Sequence, residues 1–135
     1  NSRSCTLVGS AFDTYLLEKS RVAIHHEGER TYHVFYQLLA APEEEKAAIW
    51  TGLAGTDCSS FRCVGEPPHH GPDGNPDAEA WVETRDALAS FGYGAGTEGF
   101  GSLMTAVCAV LQLGNVTFGL DPSDDEGSVV ESSEE

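Results

Sequence analysis

Tyr32, Phe35, Tyr36 and Leu39 fall at i, i+3, i+4 and i+7, the spacing that lines one face of an amphipathic helix. Glu29 in the first turn suits the helix dipole and Pro42 follows the last, so the pattern predicts a helix from about Glu29 to Leu39. His33 lies off the stripe and is expected to be partly exposed and hydrogen-bonded. Pro42 to Trp50, opened by Glu43, Glu44 and Glu45, predicts a second, short helix. A third carries Trp81, Thr84, Leu88 and Phe91 along one face, with Gly92 as its stop signal. The fourth, from about Thr97 to Leu113, is apolar on several sides, which predicts a buried helix ended by Gly114-Asn115. Ahead of these, Leu7 to Leu17 mixes β-branched and aromatic residues with partial alternation and predicts a strand. Val116-Thr117-Phe118 reads as a short extended piece, and the chain after Gly119 is expected to lack regular structure. The fold class is therefore mostly α with one or two β-strands.

A lone strand followed by helices does not close a layered architecture, because each layer must bury its face against another. Together with a first residue Asn1 in place of methionine, this leads us to expect a processed chain or a fragment of something larger, partly unfolded in isolation.

Charge narrows the possible partners. Twenty-two acids face seven Lys and Arg, for a net charge of −15. That balance argues against nucleic acid and against an anionic membrane surface. No basic start with an apolar run marks a signal peptide, and no apolar run approaches the roughly 20 residues that cross a bilayer. A soluble, cytosolic, reduced protein is expected. Seven acids lie between Asp121 and Glu135 with no base among them, a block expected to stay solvated and mobile.

The motifs that could carry chemistry are mostly negative. Gly94 to Gly99 fits G-x-G-x-x-G, but a helix precedes it where a dinucleotide fold needs a strand, so it reads as a turn between helices. Lys19 and Lys46 both follow glutamate, so neither belongs to a G-x-x-x-x-G-K-[ST] phosphate loop. No G-x-S-x-G elbow occurs. Cys58, Cys63, His69 and His70 offer zinc-type ligands at an uncommon spacing and read as an irregular surface segment. Cys108, inside an apolar run, reads as a small buried hydrophobe. Catalytic residues and metal ligands are expected to be none. Glu18, Lys19 and Arg21 form a charged turn.

Four segments carry a resemblance. Tyr15-Leu16-Leu17-Glu18-Lys19-Ser20-Arg21-Val22 resembles the T-Y-L-L-E-K-S-R-V signature of myosin heads. Gly28-Glu29-Arg30-Thr31-Tyr32-His33-Val34-Phe35-Tyr36-Gln37-Leu38-Leu39 is similar to that family's G-E-R-N-[FY]-H-I-F-Y-Q-L-L. Trp81 to Leu88 and Val107 to Phe118, the latter close to A-x-[IV]-L-H-L-G-N-[IV]-x-F through Leu113-Gly114-Asn115, follow in the family's order. Thr31 stands where the family has asparagine and Gln112 where it has histidine.

The resemblance implies an internal piece of a P-loop NTPase-type myosin motor domain: the upper actin-binding subdomain plus one strand of the central sheet. Residues 1–118 would be partial motor domain and residues 119–135 an acidic, flexible, actin-facing loop of the kind called the cardiomyopathy loop. Asp121, Asp124, Asp125, Glu126, Glu131 and Ser132 are its candidate contact residues, and Glu131, Ser132, Ser133 and Glu134 the candidates for a regulatory position. Actin filaments, the rest of the head and light chains are the implied partners, with ATP and Mg²⁺ as cofactors of the intact motor. The ATP-holding loop and switches have no counterpart here: Asn1-Ser2-Arg3 lies too close to Leu16 for the first switch, and Gly99-Phe100 lacks the aspartate of the second. The segment would supply sheet-to-cleft coupling and surface, not the ATP site. A stand-alone acidic interaction module, or a small metal-binding protein, is the alternative.

Overall fold

The computed structural model describes residues 8–9, 11, 13–24, 26, 29–64, 76–124 and 126–131. Among the described residues the regular structure is four α-helices and one antiparallel hairpin: α1 His33–Leu39, α2 Glu43–Ile49, α3 Asp77–Ser90, α4 Glu98–Asn115, β1 Thr117–Leu120 and β2 Ser128–Glu131. Short 3₁₀ turns occupy Lys19–Val22, Thr51–Leu53 and Cys58–Ser60.

The helix ends follow from local chemistry. Three glutamates in the first turn of α2 meet the positive end of its dipole. After α3, the Gly92 amide donates to the Ala89 carbonyl (3.0 Å) and the Tyr93 amide to the Leu88 carbonyl (2.9 Å), a Schellman stop. It requires a left-handed residue, and Gly92 supplies φ +89°. Thr97 caps α4, its Oγ1 accepting from the Phe100 amide at 3.2 Å. Gly94 to Thr97 link α3 to α4, a turn between helices as the context predicted, while Glu98 and Gly99 open α4.

One core joins the helices. Phe35, Tyr36, Leu38 and Leu39 of α1 meet Trp81 of α3, the Leu53, Phe61 and Val64 side chains, and Phe100, Met104, Cys108 and Leu111 of α4. Trp81, Leu38, Leu53 and Leu111 have no exposed surface. α1 packs on α3 and α2 on α4.

Six expectations need correction. α1 starts at His33, not Glu29, because the Arg30 carbonyl and the Thr31 hydroxyl are bonded to Arg21, which holds this stretch outside the helix. Only one stripe of α4 is buried; Leu103, Val110 and Leu113 are exposed, since no second layer covers that side among the described residues. Gly114 and Asn115 lie within α4. Phe91 falls beyond α3 in the stop turn and is exposed. Finally, no strand forms at residues 8–9, 11 or 13–17, and Tyr15, Leu16 and Leu17 are exposed (92%, 84% and 63%) for want of a neighbour to pair with. Leu7 and Phe12 lie outside the described residues.

The extended piece at Val116 to Phe118 does form, as the start of β1, but Ser128–Glu131, expected to lack regular structure, forms a second strand. β2 returns along β1 with Thr117 opposite Glu131, Phe118 opposite Val130, Gly119 opposite Val129 and Leu120 opposite Ser128.

Candidate functional site

The first two family-like segments lie against each other. Arg21, in the first 3₁₀ turn, is clamped by Glu18, with Nε donating to one carboxylate oxygen (2.7 Å) and Nη2 to the other (2.9 Å). This pair holds the Glu18 carboxyl below the usual carboxylate range. The Arg21 Nη1 then donates to the Arg30 carbonyl at 3.0 Å, and the Thr31 hydroxyl donates back to the Arg21 carbonyl at 3.0 Å. The Tyr32 hydroxyl donates to the Glu18 carbonyl. Glu29 adds an ion pair to Arg21 at 3.6 Å. Lys19 and Ser20 sit exposed in the same turn.

From there a polar chain enters the core. The Arg30 side chain is only 6% exposed. Its guanidinium lies over the Tyr36 ring, 3.8 Å from the centroid, and its Nη2 donates to both Asp77 oxygens at 2.8 Å. Nε and Nη1 have no partner among the described residues. The Tyr36 hydroxyl accepts from the Thr31 amide and donates to the Val64 carbonyl, each at 3.1 Å, and burial pushes its pKa up. Tyr36 thus links the start of α1 to the end of the 3₁₀ region, and Arg30 links it to the first residue of α3.

Gln37 extends the α1–α3 joint by accepting from the Thr84 hydroxyl at 2.8 Å. Glu45 of α2 reaches α3 twice, accepting from the Trp81 indole (2.8 Å) and from Arg85 (2.7 Å). At the far end of α4, Asn115 holds the 3₁₀ segment by donating to the Ser60 carbonyl (2.8 Å) and accepting from the Arg62 amide (2.9 Å). Gly114 beside it admits the close approach of Cys63, whose Sγ would stand 3.0 Å from an added Cβ. Phe35 packs in the core and Leu113 is exposed; His33 is exposed too, without the side-chain hydrogen bond expected of it among the described residues.

The acidic candidates occupy the reversal of the hairpin. Asp121 accepts from the Ser123 amide (2.8 Å) and hydroxyl (2.7 Å), which lowers its pKa. Asp124 accepts from the Glu126 amide at 3.1 Å, and Glu131 ends β2 opposite Thr117. Asp125, Ser132 and Gly28 lie outside the described residues, as do Ser133, Glu134, His69 and His70. Cys58 and Cys63 are half-buried free thiols whose pKa values burial pushes up.

Of these residues, the sequence reading missed Asp77, Glu45, Trp81 and Arg85 as partners. The one usable signal was that an arginine next to an apolar stripe needs an acid; which acid, dozens of residues away, was not readable.

A family model described as myosin head (motor domain) matches residues 2–135. The chain belongs to the myosin head family. Among its relatives it is 36% identical over 121 residues, or 90% of its length, to Myosin-16 of Arabidopsis thaliana. It is 38% identical over 110 residues (82%) to Myosin-17 of the same plant, and 32% over 127 residues (94%) to Myosin-14 of Homo sapiens. The match spans only 9%, 7% and 6% of those relatives. A mostly helical structure with two antiparallel strands fits such a portion of a myosin head.

Among the described residues no three His, Cys, Asp or Glu gather at a metal-sized site. The buried Lys46 ammonium is committed to the Thr56 carbonyl (2.8 Å) and to Glu43 (2.6 Å). No described helix is long and apolar enough to cross a membrane.

Proposed function

We propose that this segment is the coupling portion of an actin-based cytoskeletal motor that hydrolyses ATP, working with the rest of the head and its light chains. The phosphates and Mg²⁺ are held elsewhere in the head. Residues 119–135 form an acidic surface element on the actin-facing side, with Asp121, Asp124, Glu126 and Glu131 outward. Actin's motor-binding face is itself acidic by family resemblance, so these acids set spacing and orientation there, and attraction comes from basic segments elsewhere.

The observation that carries the reading is the polar chain from Glu18 through Arg21, Arg30 and Tyr36 to Asp77. It ties the Tyr15–Val22 stretch, which lacks its own sheet partners, to the helices of the core. A shift of that stretch with nucleotide state is passed to α1 and α3 through hydrogen bonds rather than slack side chains, so two arrangements of the head are distinguished.

The test is Arg21→Ala in a complete motor head carrying this segment. The basal Mg·ATPase should persist while actin activation falls about two- to thirtyfold, the range a 0.5–2 kcal/mol change in coupling gives. Unchanged actin activation would overturn the coupling role, and a complete head without ATPase activity would overturn the motor reading.

A further inference from the structure

A cleft of about 480 Å³ opens where the Arg21 turn, the segment before Val64 and the end of α4 meet. It is lined by Val22 of that turn, Val110 and Leu113 of α4, Val116 just beyond it, and Arg62 and Cys63. The volume lies within the roughly 300–1,000 Å³ of small-molecule sites. Val110 and Leu113 are exposed, so the aliphatic side of the hollow is open to an occupant. Cys63 is half-buried, its thiol held close to the α4 backbone at Gly114.

Arg62 gives the cleft its charge. Acids outnumber Lys and Arg by 22 to seven in this chain, and Arg21, Arg30, Lys46 and Arg85 each hold a carboxylate. The Arg62 guanidinium makes no ion pair or hydrogen bond among the described residues. Lys19, the other unpaired cation among them, stands on an exposed turn. The Arg62 backbone is nonetheless pinned, its amide donating to Asn115 Oδ1 at 2.9 Å, so the guanidinium is tethered beside the hollow. A fixed, unspent guanidinium next to aliphatic surface is complementary to a carboxylate carried on an apolar body. An amine would meet Arg62 as a like charge, and a bare inorganic anion would leave the aliphatic surface wet.

We propose that this cleft binds a small amphiphilic carboxylate, with an alkyl body of about ten carbons for a hollow of this size. The carboxylate accepts from the Arg62 guanidinium, and the alkyl body lies on Val110, Leu113 and Val116. Such an occupant touches the Arg21 turn through Val22 and the residue before β1, Val116, and so bridges the two. The site stands on the cleft and on Arg62, whether or not the segment couples nucleotide to actin.

The experiment titrates decanoate, below its micelle-forming concentration, into a complete motor head carrying this segment and reads binding by calorimetry. Position is read from Cys63, whose alkylation by N-ethylmaleimide is timed and located by peptide mass. One saturable decanoate is expected, with alkylation of Cys63 slowed several-fold when it is bound. Arg62→Gln should weaken binding at least about tenfold, the loss of a hydrogen bond to a charged group, while decanol should bind the two proteins alike. Val110→Trp, at an exposed position of α4, fills the hollow and should abolish binding. Both variants are checked for native helical circular dichroism and unfolding midpoint, so a lost affinity reports the site and not the fold. No saturable binding, binding that leaves Cys63 alkylation unchanged, or binding that survives both substitutions overturns the proposal.

Discussion

Replacing Asp77 by alanine would leave the Arg30 guanidinium inside the protein without its anion. Arg30 is 6% and Asp77 17% exposed, so the pair is nearly dry, and both 2.8 Å contacts come from one nitrogen. Breaking a buried pair costs about 3–5 kcal/mol, because the stranded charge keeps its desolvation penalty. The Tyr36 face returns about 1 kcal/mol, and water can reach the slightly open start of α3, which places the expected loss near 3 kcal/mol. Arg30→Met keeps the stem and removes the charge together with its two unpartnered nitrogens, so it should cost only about 1 kcal/mol. With the cation gone, adding Asp77→Ala should cost little more, giving a coupling energy of about 3 kcal/mol. Glu79→Ala, in the same first turn but without a buried partner, controls for the helix dipole and should lose about 0.5 kcal/mol. Urea unfolding of the four variants followed by helical circular dichroism measures all of this. A loss for Asp77→Ala no greater than for Glu79→Ala would refute the claim that this pair holds α3 to α1.

Three further outcomes are expected. Thr97→Ala, which removes the α4 cap, should cost about 1 kcal/mol, readable in the same unfolding experiment. Glu18, Glu43, Asp57 and Asp121 all have lowered pKa values, Glu43 chiefly through the Gly55 amide and Asp121 through Ser123. Each carboxylate is bonded in its charged form, so its contribution is present above the ordinary carboxylate range and is lost as pH falls through the lowered values. Stability should therefore hold from pH 7 to about 5 and decline below about 4, and a flat profile down to pH 3 would contradict this. In hydrogen exchange, residues 13–17 should exchange at once and the central amides of α4 slowest, since the former make no backbone ladder; comparable protection in both would show that the missing strand forms.

The helices were legible because their signals are local. The stripe of α1, the acidic opening of α2, and Gly92 after α3 each lie within one or two turns of what they determine. The start of α1 was not legible, since residues 29–32 are held out of the helix by Arg21, a tertiary effect. Leu7 to Leu17 carries a real β signal, yet propensity without a partner yields no strand. The hairpin was overlooked because acids dominate residues 121–126, although Gly127 followed by Val129 and Val130 opposite Phe118 is an ordinary turn-and-strand pattern. Glu18, Arg21, Arg30 and Tyr36 of the family-like segments lie together. The partners that make them a network, Asp77 at 47 positions from Arg30 and Val64 at 28 from Tyr36, follow only from folding.

Those two long-range bonds have a practical side. The Val64 carbonyl is fixed by Tyr36, and Asp77 is fixed by Arg30, each from within the core. The span between them is thus moored separately at both ends, and neither mooring depends on how many residues separate them. Lengthening a connection costs only slowly growing loop entropy, about 0.6 kcal/mol per doubling. A change in the length of the connection between Val64 and Asp77 should accordingly leave the packed helices in their arrangement.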